Sequence, residues 1–124
     1  PRSRTPKIPD AGRQLAYYCI TRHILRIMPY MVSATLIISS RAVVGRWIVQ
    51  RKVWALPEAG AERPHGLKYS LFCGDDTQCL VRYDNESGKG DHRHYGEREE
   101  PYIFTTLEAL LEDFQADIIR LTRE

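Results

Sequence analysis

From residue 34 onward the apolar positions first follow a strand rhythm and then, near the C-terminus, switch to a helical one. Residues 34–39 (ATLIIS) are a continuous apolar run rich in β-branched side chains, which predicts a strand. Residues 46–54 (RWIVQRKVW) alternate, with Trp47, Val49 and Val53 on one face and Gln50 and Lys52 on the other. Arg51 interrupts the apolar side of that strand. Residues 57–66 (PEAGAERPHG) have the composition of a loop. Residues 67–73 (LKYSLFC) and 78–84 (QCLVRYD) predict two strands around the turn Gly74-Asp75-Asp76-Thr77. Residues 85–90 (NESGKG) predict a second turn, 91–95 a short strand, 96–101 another turn and 102–104 a last short strand.

The clearest element is a terminal helix. Thr105-Thr106-Leu107-Glu108 reads as a capping box, with a threonine hydroxyl for the N3 amide and Glu108 returning to the cap. Leu107, Leu110, Leu111, Phe114 and Ile118 then follow at helical spacing and form one apolar stripe. Glu108, Glu112 and Asp113 lie toward the positive end of the helix dipole, and Arg120 and Arg123 toward the negative end. A stripe of this kind must be buried, and the sheet is the surface available. The expected fold is therefore α+β, a small antiparallel sheet of about five strands packed against a C-terminal amphipathic helix.

The chain before Met31 has a different character. Residues 1–14 hold three prolines, a glycine and alternating charges, which predicts no fixed structure. Residues 15–30 have helix-like apolar spacing, but Arg22, His23 and Arg26 interrupt it, so it makes a poor secretory core. Residues 1–30 carry six basic groups against one acid, Asp10, a net +5, whereas residues 31–124 carry twelve against fifteen, a net −3. The expected division is an extension over 1–30, readable as upstream sequence from an early start, and a domain over 31–124.

The acidic balance of 31–124 excludes a broad electrostatic footprint for nucleic acid, so any RNA contact must be local. Three cysteines (Cys19, Cys73 and Cys79) without CxxC spacing argue against a zinc ribbon or a disulfide scaffold. Cys73 and Cys79 flank a turn and can face each other across it, but two buried thiols of a cytoplasmic protein are the simpler expectation. No run of apolar residues is long enough to span a bilayer, so no membrane partner is expected. Trp47 and Trp54 read as core or edge residues and not as a base-stacking platform.

The densest polar stretch is residues 82–100 (RYDNESGKGDHRHYGEREE). Arg82 and Asp84 project from one face of a strand, and His92 and His94 from one face of the next, with Arg93 and Tyr95 opposite. If those strands pair, Arg82, Asp84, His92 and His94 collect on one surface with Lys89 at its rim. Three readings are open. Two histidines at i, i+2 with Asp84, Asp91 or His65 can hold a metal ion, although no fixed fourth ligand is visible. A His pair with Arg and Lys also supplies the base, the acid and the cation needed for metal-independent RNA cleavage near neutral pH. The third reading is an ion-pair network of Arg82, Asp84 and the acids at 97–100, with the histidines pinning loops.

The strings KYSLFC, LVRYDNESGKGDHRHYGEREEPY and FTTLEALLEDFQADI resemble the TumE-type toxin family of prokaryotic type II toxin–antitoxin systems. The likeness covers about residues 31–121. It implies a cytoplasmic toxin encoded beside a helix-turn-helix antitoxin, related to translation-targeting ribonucleases that act on mRNA or the ribosome. Such ribonucleases place helices between their first two strands, whereas this chain runs through its strands before its helix. A non-catalytic interaction module, acting by binding a target or by co-regulating its operon, is the alternative. The resemblance carries Arg82, Asp84, Lys89, Asp91, His92 and His94 as the site, with Glu99 organising the arginines, and implies no metal and no cofactor.

Overall fold

A computed structural model describes residues 34–123. The expectations made for residues 1–30 lie outside these residues. Six strands follow one another in chain order: β1 (Thr35–Val44), β2 (Trp47–Ala55), β3 (Leu67–Gly74), β4 (Cys79–Asp84), β5 (His92–Tyr95) and β6 (Arg98–Pro101). Each pairs antiparallel with the next, giving one meander sheet. The helix α1 (Leu107–Thr122) packs against one face of that sheet. The fold is α+β, as the two rhythms of the sequence imply.

Alternation and register together sort the side chains. Val49 stands opposite Cys73, and Cys73 opposite Val81; Arg51 stands opposite Leu71, and Leu71 opposite Tyr83. These residues face α1, and with Val53 and Tyr69 they meet Leu110, Phe114 and Ile118 in a closed core. Removing a side chain the size of Phe114 from water stabilises the fold by about 1.5–3 kcal/mol. Arg51 does not break this face. Its guanidinium lies 5.2 Å over the Phe114 ring and donates to Gln115 Oε1 at 2.6 Å. A long basic side chain covers apolar surface with its stem while its head finds a polar partner.

Several local expectations shift. The helix cap is Thr106, one residue later than the capping-box reading; its hydroxyl accepts from Ala109 N at 3.0 Å, and Glu108 stands within the first turn. The last strand is residues 98–101, not 102–104. Gly96, at φ +62°, and Glu97 turn the chain so that Tyr95 pairs with Arg98. Only glycine adopts such a φ without strain. Pro101 is tolerated because β6 is an edge strand. Cys73 pairs in register with Val81 and Cys79 with Gly74, so the two free thiols do not oppose each other. At the other edge β1 is longer than the apolar run that signalled it, and Leu36, Ile37, Val43 and Val44 remain exposed.

Candidate active site

The face of the sheet turned away from α1 is built in two rungs. One runs Lys52, Ser70, Asp84, His92; the other runs Gln50, Phe72, Arg82, His94, Glu99. Direct pairing of Asp84 with His92 and of Arg82 with His94 brings together the four residues that the sequence placed on one surface. Gly88 (φ 83°) and Gly90 (φ 71°) let residues 85–91 reverse tightly enough for β5 to return beside β4.

Within the cluster the two histidines have different partners. Arg82 Nη2 lies 3.0 Å from His94 Nε2. A guanidinium can only donate, so His94 Nε2 accepts and the ring is neutral. His92 Nδ1 lies 2.9 Å from the Gly90 carbonyl and its Nε2 contacts Asp84 Oδ1. Both partners are acceptors, so the contacts of His92 favour its protonated form. The pKa directions agree. Burial opposes the charge on His92, but the hydrogen bond and charge of Asp84 outweigh it and raise the pKa. Burial, with the Arg82 charge second, lowers that of His94. The two rings stand edge to face at 4.9 Å between centroids.

Arg82 Nε is 3.0 Å from Asp84 Oδ2 but makes no well-directed hydrogen bond. Glu99 Oε1 lies 3.7 Å from both His92 Nε2 and Lys89 Nζ, so Lys89 joins the rim through Glu99. Glu99 therefore contacts a histidine and a lysine; Glu100 is the acid that pairs with an arginine, Arg93, at 2.6 Å. Asp91 stands apart from the cluster. It accepts from Tyr69 Oη at 2.6 Å and lies 3.1 Å from His65 Nε2, on the side of the sheet that faces α1. The alternation of β5 accounts for this, because Asp91 precedes His92 by one residue.

Asp84, His92 and His94 each offer a ligand atom, and these lie within 4.8 Å of one another. Arg82 Nη2 already lies 3.0 Å from His94 Nε2, Arg82 Nε lies beside Asp84 Oδ2, and His92 Nε2 contacts Asp84 Oδ1. A cation there would have to displace the Arg82 guanidinium. The chemistry the arrangement offers is proton transfer by two imidazoles whose pKa values are pushed in opposite directions. One residue of this face escaped the sequence reading: Lys68 on β3, buried with a pKa lowered to about 7, chiefly by desolvation. Its signal was a lysine inside the apolar string LKYSLFC.

The family model described as Toxin TumE matches residues 21–122. The chain belongs to the Toxin TumE family. The match spans all six strands and α1, and with them every candidate site residue, so this is a toxin whose polar cluster lies inside the family's own domain. It begins ten residues upstream of Met31. No curated protein and no solved structure matches the chain. Among the described residues no helix is long and apolar enough to cross a membrane.

Proposed function

We propose that this TumE-family toxin inhibits growth by metal-independent cleavage of RNA linked to translation, using His94 as base and His92 as acid. The observation that carries the reading is that two adjacent histidines have different partners and pKa values pushed in opposite directions. Environments that push two like groups apart assign one as acid and the other as base. In the reaction Arg82 leaves His94 Nε2 for a phosphate oxygen, a move its poorly directed bond to Asp84 favours. His94 Nε2 takes the proton of the 2′-hydroxyl, and the 2′-oxygen attacks phosphorus. The bond from phosphorus to the 5′-oxygen breaks as His92 Nε2 gives that oxygen its proton. The products are a 2′,3′-cyclic phosphate and a free 5′-hydroxyl. Arg82 supports the charge of the phosphorane, Asp84 holds His92 charged, and Lys89 stands at the rim.

The toxin is neutralised by a helix-turn-helix antitoxin that masks the surface around residues 84–99. The expected test is direct. His92→Ala and His94→Ala should each cut RNA cleavage and toxicity by about 100- to 10,000-fold while circular dichroism stays native. A chelator should change nothing. Full toxicity in both folded variants makes the histidines structural, and loss of activity with chelator returns the three donors to a metal role. Failure of the neighbouring gene product to bind or neutralise the toxin removes the antitoxin part.

A further inference from the structure

Two donors lie side by side on the same sheet face as the histidines, and neither makes a hydrogen bond among the described residues. Lys68 is 4 % exposed and no hydrogen bond or ion pair reaches its ammonium. Trp54 is 2 % exposed and its Nε1–H is buried without an acceptor. The two residues are paired in register across β2 and β3, and Lys68 is two positions along β3 from Ser70, which pairs with Asp84. Two residues on one strand share a face, so Lys68 stands beside the rung of Asp84 and His92. Buried donors are normally satisfied, so an indole N–H left open beside a buried lysine points to an acceptor from outside the chain.

We propose that Lys68 and the Trp54 indole N–H form a phosphate subsite that holds a backbone phosphate of single-stranded RNA next to the one being cleaved. The inference rests on the RNA-cleavage reading for the meaning of the neighbouring phosphate, but not for the anion site itself. Several charged groups face this lysine: Arg63 in the loop before β3, Asp84 on β4, and Glu62 and Glu86 in the flanking loops. The arginine and desolvation weaken its charge, while the three acids support it. A bound phosphate adds a fourth anion beside it and fixes it as an ammonium.

The test uses the full chain and a single-stranded oligodeoxynucleotide, which has no 2′-hydroxyl and is not cleaved. Lys68→Met keeps the stem that lies across from Trp54 and removes only the charge. It should weaken binding by roughly 10- to 100-fold, as loss of a charged hydrogen bond does. It should also make the dependence of log affinity on log salt shallower by about 0.7, the change for one phosphate contact on a single strand. Lys68→Arg should restore both, and Trp54→Phe should weaken binding by a few-fold. In the unaltered protein the NMR titration midpoint of Lys68 should rise when the oligonucleotide is added, a measurement that stands even where Lys68→Met does not fold. An unmoved midpoint, or a folded Lys68→Met with unchanged affinity and salt slope, overturns the subsite. Binding of inorganic phosphate without binding of the oligonucleotide overturns its assignment to RNA. Binding that depends on Lys68, with no cleavage of the matching ribo-oligonucleotide, leaves the subsite standing and removes the catalytic reading.

Discussion

The two faces of this sheet each bury a carboxylate, and they treat it in opposite ways. On the side of α1, Asp117 accepts from Tyr83 Oη at 2.6 Å, from Tyr95 Oη at 2.7 Å and from Arg120 at 2.9 Å. Burial raises its pKa, but these donors outweigh it and hold the carboxyl below its ordinary range. Two of the donors are phenols, which do not titrate near neutrality, and burial pushes both higher still. On the other side Asp84 is held by His92, which titrates, and by Arg82, whose Nε is close but misdirected. The first carboxylate ties the helix to the sheet, and nothing in its surroundings has a reason to change. The second sits among groups that exchange protons and partners. A buried acid thus marks structure or chemistry according to whether its donors are fixed.

The comparison is broken most forcefully on the helix face. Phe114→Ala should cost about 3–5 kcal/mol, because a fully buried ring is lost between sheet and helix. Chemical denaturation measures it, and toxicity should vanish with the fold at growth temperature. A loss under about 1 kcal/mol would mean that this face is not the core. Asp117→Asn should cost less, about 1–3 kcal/mol, since the tyrosines lose a charged acceptor. The sign also differs with pH. A depressed carboxyl stabilises above its unfolded value and stops doing so as pH falls through its folded one, so the variant should differ most from the parent near neutrality and converge with it in acid. Whatever Asp117→Asn protein remains folded should retain its toxicity.

Much of this division was legible in the sequence. The alternation of residues 46–54 and the stripe from Leu107 to Ile118 place the core, because burial imposes a period that side-chain polarity records. Arg82, Asp84, His92 and His94 could be gathered because two strands joined by a glycine-rich turn leave few pairings. Asp117 was hidden because its place in the helical stripe is polar, and only the arrival of Tyr83 and Tyr95 makes it an acceptor. The strand at residues 98–101 was hidden because REEP has the composition of a turn, and pairing with β5 overrides composition at a sheet edge. Asp91 was grouped with the histidines by proximity in the chain, although a one-residue offset on a strand puts it on the opposite face. Lys68 was hidden because the desolvation that marks it out comes from neighbours distant in sequence.

The histidine pair sharpens the comparison through pH. On the proposed mechanism cleavage requires His94 neutral and His92 charged, so the rate should follow a bell. The acidic limb should lie below the ordinary histidine range and the basic limb above it, as the two shifts dictate. Outside the plateau the rate should fall about tenfold per pH unit. Initial rates on a short ribo-oligonucleotide, measured across pH at constant ionic strength, check this. The stability term from His92 runs the same way as its charge: a raised pKa stabilises below the unfolded value and the contribution is lost as pH rises through the folded one. A single sigmoid centred on the ordinary histidine value would mean that the two rings are not held in opposite states.

The smallest expected effect concerns the chain before the sheet. Residues 1–30 are basic while the remainder is acidic, and among the described residues the buried core runs from Trp47 to Ile118, with Ile38 of β1 packed against it. We propose that residues 1–30 are dispensable for folding. Starting the chain at Met31 should change the free energy of unfolding by less than about 1 kcal/mol, because the strands and capped helix after it already form a core among themselves. The family match starts at residue 21, so a second truncation at that position separates the ten matched residues from the twenty that precede them. Equal denaturation midpoints for all three forms support the division at Met31. A loss confined to the Met31 form assigns residues 21–30 to the domain and moves the boundary upstream. Toxicity supplies an independent readout on the other face. If the Met31 form is equally stable but less toxic, the basic segment assists RNA binding through its charge, and the difference should shrink as salt is raised.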